Sequence, residues 1–112
     1  MLSLRNRLKK KKDFETVFKQ GETIKSETFF LKVLNTNNDY SRIGFVVSKK
    51  ISNKAVIRNK IKRRLRETIR HNLPSLKNNF DIIVVALPKI KAISFKEIKQ
   101  EVEKALKRKK LI

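Results

Sequence analysis

Ile57, Ile61, Leu65 and Ile69 recur every fourth residue in an otherwise polar stretch, so residues 54–71 are predicted to form one long amphipathic helix. Ser52 or Asn53 is the candidate N-cap, and residues 72–79, with Pro74, end it. Ile43, Phe45 and Val47 alternate with a period of two, which predicts a strand over residues 42–48. Residues 28–34 are also rich in β-branched and aromatic side chains, and the turn-forming residues 35–39 lie between, so these two strands are expected to pair antiparallel. Residues 80–87 form a nearly continuous apolar run stopped by Pro88, the pattern of a central strand covered on both faces.

Helices are predicted at both ends as well. Asp13 is placed to cap a short helix over residues 14–20, closed by Gly21, with Phe14, Val17 and Phe18 on one side. Ser94-Phe95-Lys96-Glu97 is a capping box, and Ile93 can staple onto Ile98, so a last helix runs from about 95 to 108. Phe95, Ile98, Val102, Ala105 and Leu106 are expected to face inward on it. Adjacent Phe29 and Phe30 must point to opposite faces of their strand, so one of them is free to line an open groove. The sum is a small mixed α/β (α+β) domain spanning residues 1–112. Its order is α-β-β-β-α-β-α, with about three helices and a mainly antiparallel four-stranded sheet.

Charge narrows the function. Thirty Lys and Arg stand against ten Asp and Glu, a formal net charge of +20. Such self-repulsion is relieved by a polyanion, which means nucleic acid, an anionic membrane or a strongly acidic protein. The cations cluster: Arg5, Arg7 and Lys9 to Lys12 precede the first acidic residue, residues 54–70 hold a single acidic residue, Glu67, and the C-terminal end is basic again. The basic ends, 1–12 and 107–112, are expected to be flexible. At 3.6 residues per turn, Ala55, Asn59, Lys62, Arg63, Arg66 and Arg70 fall on one arc of the long helix, opposite the apolar stripe, with Arg58 at the border. Arg forks suit phosphate oxygens, Asn can address a sugar or base edge, and the small Ala55 lets a backbone approach. A membrane-surface helix would instead turn its apolar stripe to lipid, leaving the strands nothing to pack on.

Protein-borne catalysis finds little support. Cysteine is absent, His71 is the only histidine, and the carboxylates show no metal-ligand or acid/base spacing. A metal-dependent nuclease would have to cleave RNA unaided. No apolar run is long enough to cross a bilayer, and the first residues, Met1-Leu2-Ser3-Leu4-Arg5, lead straight into a basic run and form no apolar signal region. For Phe14 and Phe18, spacing alone favours core packing, though flanking cations would also suit stacking on unpaired bases.

The run Arg5-Asn6-Arg7-Leu8-Lys9-Lys10 is followed by Asp13-Phe14, Val17-Phe18 and Ser48-Lys49-Lys50, then by Ala55-Val56-x-Arg58-Asn59-x-x-Lys62-Arg63-x-x-Arg66. In order and spacing this resembles the bacterial ribonuclease P protein family over almost the whole chain. The resemblance implies a cytoplasmic ribonucleoprotein in which a catalytic RNA, using magnesium, removes the 5′ leader of precursor tRNA. The protein would bind that RNA and the leader, with neither DNA nor membrane as partner and no catalytic side chain of its own. Arg5, Arg7, Ala55, Arg58, Asn59, Lys62, Arg63, Arg66 and Arg70 would face the catalytic RNA. Phe14 and Phe18 would line a leader cleft, which shifts them from core to contact. Lys32 occupies a cleft position where relatives often carry an aromatic, so stacking there gives way to a charge. The resemblance also implies a left-handed strand–helix–strand crossover, against the usual right-handed rule. The alternative is a ribosomal or general RNA-binding module of similar α/β shape.

Overall fold

A computed structural model describes residues 4–112. Three α-helices, α1 (Lys11–Gln20), α2 (Ala55–Asn72) and α3 (Phe95–Arg108), surround four strands, β1 (Glu22–Lys25), β2 (Phe29–Asn35), β3 (Arg42–Val46) and β4 (Phe80–Ala86). The sheet order is β1-β2-β4-β3, with β4 antiparallel to β2 and parallel to β3. The order α-β-β-β-α-β-α is therefore as expected, and so is the inner place of β4, whose residues 80–84 are all buried.

The expected β2–β3 hairpin is not formed. Residues 35–39 do turn the chain, but β4 lies between the two strands, pairing Leu31 with Val84 on one side and Phe45 with Val84 on the other. The physical reason is burial: the most apolar strand removes both faces from water only at an inner position. The outer edge of β3 is not left bare. Residues 6–8 lie along it, with Arg7 bridged parallel to Ile43, the Leu8 N–H donating to the Ile43 carbonyl at 2.9 Å and Asn6 Nδ2 donating to the Ser41 carbonyl at 2.7 Å. Such cover hides unpaired strand groups from other chains.

The two sheet faces differ. One carries Phe29, Leu31, Val33, Ile43, Phe80, Ile82, Val84 and Ala86 into the main core, closed by Ile61, Leu65 and Ile69 of α2 and Ile98, Val102, Ala105 and Leu106 of α3. The other is covered only in part, where Val17 of α1 joins Leu8 and Ile83 in a small second cluster. The C-terminal end is packed too: Leu111 is buried and its carbonyl accepts the Lys77 N–H at 2.8 Å. The N-terminal residues 1–3 lie outside the described residues.

Local caps depart from expectation in three places. α1 starts at Lys11, and Lys10 at its N-cap gives no side-chain cap, because the Asp13 carboxylate turns instead to Arg42. α2 has Lys54 at its N-cap, while Ser52 sits just ahead, its hydroxyl accepting the Lys54 N–H and its carbonyl accepting Arg58 Nη1 at 2.9 Å. Phe95 is 40 % exposed rather than inward, since Ile93 before the cap takes the place on the core. The capping box itself is formed, with Ser94 accepting the Glu97 N–H.

Gly21 is required by close approach. Its N–H donates to the Val17 carbonyl at 2.8 Å, and a Cβ there would lie 2.5 Å from that oxygen and 3.2 Å from the Val33 carbonyl. Both obstacles are backbone, so neither can swing aside. Gly21→Ala is expected to destabilise the fold by about 1–3 kcal/mol, the usual range for forced overpacking. A urea midpoint equal to that of the parent chain would show that the turn has room.

Candidate RNA interface

Two surfaces carry the residues singled out in the sequence, and they lie on opposite sides of the sheet. The first is the outer arc of α2. With Ile61, Leu65 and Ile69 buried, the helix turns Ala55, Asn59, Arg63 and Arg70 to solvent and leaves Arg58, Lys62 and Arg66 half-buried. These residues are not equivalent. Arg58 is occupied with the Ser52 carbonyl, and Arg66 lies 6.0 Å above the Phe45 ring, within cation–π range. Arg70 bonds the one acidic residue of the helix, Glu67, at 2.9 Å. That bond, with the charges of Arg70 and His71 adding to it against the opposing effect of burial, holds the Glu67 carboxyl below the usual carboxylate range. Among the described residues Lys62 and Arg63 have no acidic partner, so their charges are the most available to an incoming phosphate.

Arg5 and Arg7 extend this cationic surface along β3. The exposed Arg5 guanidinium stacks 5.5 Å above the Tyr40 ring, and the half-buried Arg7 forms the β3 edge bridge. All nine cationic, amide and small residues expected to face RNA are thus on α2 or on the edge of β3, the strand whose Phe45 meets Arg66.

The second surface is the partly covered sheet face beneath α1. Lys32, Ile83 and Gly44 form one cross-strand row, and Phe30, Val85 and Val46 form the next. Phe14 sits directly over Gly44: a Cβ at position 44 would lie 2.4 Å from its Cζ. Gly44 is therefore the notch that lets α1 come down onto the sheet. Phe18, one turn further along α1, is 40 % exposed, and Phe30, Lys32, Val46 and Val85 stay half-buried, whereas Phe29, Leu31, Val33, Val84 and Ala86 on the other face are buried. The structure brings Phe14, Phe18 and Lys32 to one face, with Phe14 mainly a packing residue and Phe18 mainly a surface one.

Phe30 belongs with them although no specific site was assigned to it. Its signal was the alternation with Phe29. Alternation puts the two rings on opposite faces, but only the placement of α1 decides which face stays open. Phe30 gives this surface an aromatic ring two residues from Lys32 on the same strand face.

The described residues contain no group of three His, Asp or Glu able to hold a metal ion. The two carboxylates that come together, Asp13 and Asp81, are both occupied by Arg42, so this donor set does not fit a resident magnesium ion. Two open concavities of about 500 and 540 Å³ flank α3, lined by Lys104 and Arg108 beside Glu101 or Glu103. Their linings mix both charges, and they share no residue with either surface above.

The family model for ribonuclease P matches residues 2–110. The chain belongs to the ribonuclease P protein family. It is 36% identical over 107 residues to the ribonuclease P protein component of Alkaliphilus metalliredigens, covering 96% of each chain, and 37% identical over 98 residues to that of Synechocystis, covering 87% of this chain and 79% of the other. Among solved structures, a Staphylococcus aureus RNase P protein mutant matches with a TM-score of 0.88 at 34% identity, over 96% of this chain and 91% of that one. The Thermotoga maritima RNase P protein matches with a TM-score of 0.81 at 34% identity, over 91% and 96%. The three-helix, four-stranded mixed fold is thus that of ribonuclease P proteins. No helix among the described residues is long and apolar enough to cross a membrane.

Proposed function

We propose that this chain, as the protein subunit of ribonuclease P, holds two RNAs at once: the catalytic RNA on the arc of α2 with Arg5 and Arg7, and the unpaired 5′ leader of precursor tRNA on the sheet face beneath α1. The observation that carries this reading is the pairing of an almost unneutralised cationic helix face with a separate, half-open face that offers Phe18, Phe30 and Lys32. Duplex or folded RNA presents phosphate, which Lys62 and Arg63 suit. A single strand also presents base faces, which stack on aromatic rings at about 1–3 kcal/mol per base. Holding the leader on the protein draws substrate and ribozyme together, and the positive field lowers the repulsion between the two RNAs. Magnesium on this reading is held by RNA oxygens, the setting is the bacterial cytoplasm, and the protein contributes no reacting group.

Cleavage of a leader-bearing precursor tRNA by the catalytic RNA, at limiting magnesium, tests this directly. The chain is expected to restore cleavage that the RNA alone loses. No effect on cleavage, together with stable association with ribosomes, would favour a general RNA-binding module instead. Phe18→Ala is expected to weaken binding of leader-bearing substrate by about tenfold, the equivalent of roughly one stacked base. Mature tRNA should bind unchanged; equal losses for both would make Phe18 a packing residue.

A further inference from the structure

The start of α1 is poorly held by its own sequence. Lys11 and Lys12 occupy its first turn, where the helix dipole disfavours cations, and the N-cap provides no side-chain acceptor. The only acidic residue in that turn, Asp13, is not spent on the helix end. Its Oδ2 accepts from Arg42 Nη1 at 3.2 Å. The same guanidinium donates through Nε to Asp81 Oδ1 at 2.9 Å and through Nη2 to Asp81 Oδ2 at 2.6 Å. One side chain on β3 therefore grips the neighbouring strand β4 with two parallel bonds and α1 with a third. The three are 29 and 39 positions apart in the chain. Asp81 is 4 % exposed, so the anchor end of this clamp is rigid, while the Asp13 end reaches the surface.

The far end of α1 is fixed as well, by the close approach of Gly21 to Val33 on β2. Between these points Phe14 rests in the Gly44 notch. The helix thus crosses the sheet from β3 to β2, tied at both ends, and its height sets the opening beside Phe18, Phe30 and Lys32.

We propose that Arg42 and Asp13 are positioning residues for leader binding: the guanidinium pins the start of α1 to the sheet and so fixes the width of the groove that receives an unpaired RNA strand. The proposal rests on the reading of that groove as the leader site. Lysine cannot replace Arg42, because one ammonium cannot hold two parallel bonds to Asp81 and a third to Asp13.

Asp13→Asn distinguishes positioning from simple electrostatics, because the two predict opposite signs. Removing a negative charge from an RNA-binding surface should tighten RNA binding if only charge matters. If the clamp matters, the reconstituted ribonucleoprotein should bind leader-bearing precursor tRNA about fivefold more weakly or worse, the lower end of coupling between sites. Mature tRNA affinity and kcat at saturating substrate should be unchanged. Arg42→Lys should give the same leader-specific loss, and adding Asp13→Asn to it should cost little more, since both break one unit. Unchanged or tighter leader binding by Asp13→Asn, or equal losses for leader-bearing and mature tRNA, overturns the positioning role. Phe18→Ala in the same assay separates the two readings. A leader-specific loss with Phe18→Ala and none with Asp13→Asn removes the clamp alone, whereas no leader-specific loss with either variant removes the groove as leader site and the clamp with it.

Discussion

Arg42→Met is expected to destabilise the folded chain by about 2–4 kcal/mol, somewhat below the full cost of orphaning a buried ion because water still reaches part of the site. The cause is Asp81, which at 4 % exposure would lose both charge-assisted bonds and be left buried without its cationic partner. Against a typical domain stability of about 5–15 kcal/mol, and with a net charge of +20 opposing compaction, this is a large loss. Combining Arg42→Met with Asp81→Leu should recover most of it, since an apolar pair of similar size needs no compensation. The Asp81 hydrogen bond, followed by the charges of Asp81 and Asp13, holds the Arg42 guanidinium above its ordinary pKa, against the opposing effect of burial. A raised pKa on a cation means stability that is full below the unfolded value and lost only as pH rises through the folded one. For arginine that window lies in strong alkali, so the parent chain keeps this contribution in full from about pH 6 to 9. Urea midpoints at fixed phosphate concentration measure it; a single variant as stable as the parent would mean that Asp81 is satisfied by water.

The second large effect concerns the outer arc of α2. Replacing Lys62, Arg63 and Arg66 together by Gln should flatten the dependence of log affinity on log salt for the catalytic RNA by about 2–3 units, at 0.7–0.9 per phosphate contact. Glutamine keeps helix propensity close to that of Lys and Arg, and Ile61, Leu65 and Ile69 still dock the helix, so the fold should survive. Arg70→Gln is a useful contrast, because Arg70 already spends its charge on Glu67. Its effect on the slope should be smaller than that of Arg63→Gln. Equal effects would mean that the Glu67 pair opens on binding.

Much of this was legible along the chain, for physical reasons that differ by element. The four-residue spacing of Ile57, Ile61, Leu65 and Ile69 defines α2 and, by subtraction, its cationic arc, because both follow from one local period. The Ser94/Glu97 box is equally local and marks the start of α3. The inner position of β4 follows from an unbroken apolar run, which needs burial on both faces. Strand neighbours are another matter. Residues 35–39 turn the chain, yet nothing in them says that β4, 45 residues after Asn35, slips between β2 and β3. The same non-locality hid the role of Asp13. A carboxylate at a helix start reads as a cap, and only the fold reveals that Arg42 is within reach. For Phe30 the alternation with Phe29 was visible, but the openness of its face depends on where α1 lands, which in turn depends on Gly44 having no side chain.

In the proposed function, two faces of one small domain engage two different RNAs. Because the chain has no cysteine, a single one can be introduced and carry a tethered hydroxyl-radical source without competing sites. Asn59→Cys places the source on the exposed arc of α2, and Lys32→Cys places it on the sheet face beneath α1. In the reconstituted ribonucleoprotein bound to precursor tRNA, the source at position 59 should cut the catalytic RNA and spare the leader. The source at position 32 should cut the leader. Leader cleavage from position 59, or cleavage confined to the catalytic RNA from position 32, would contradict the assignment of the two faces.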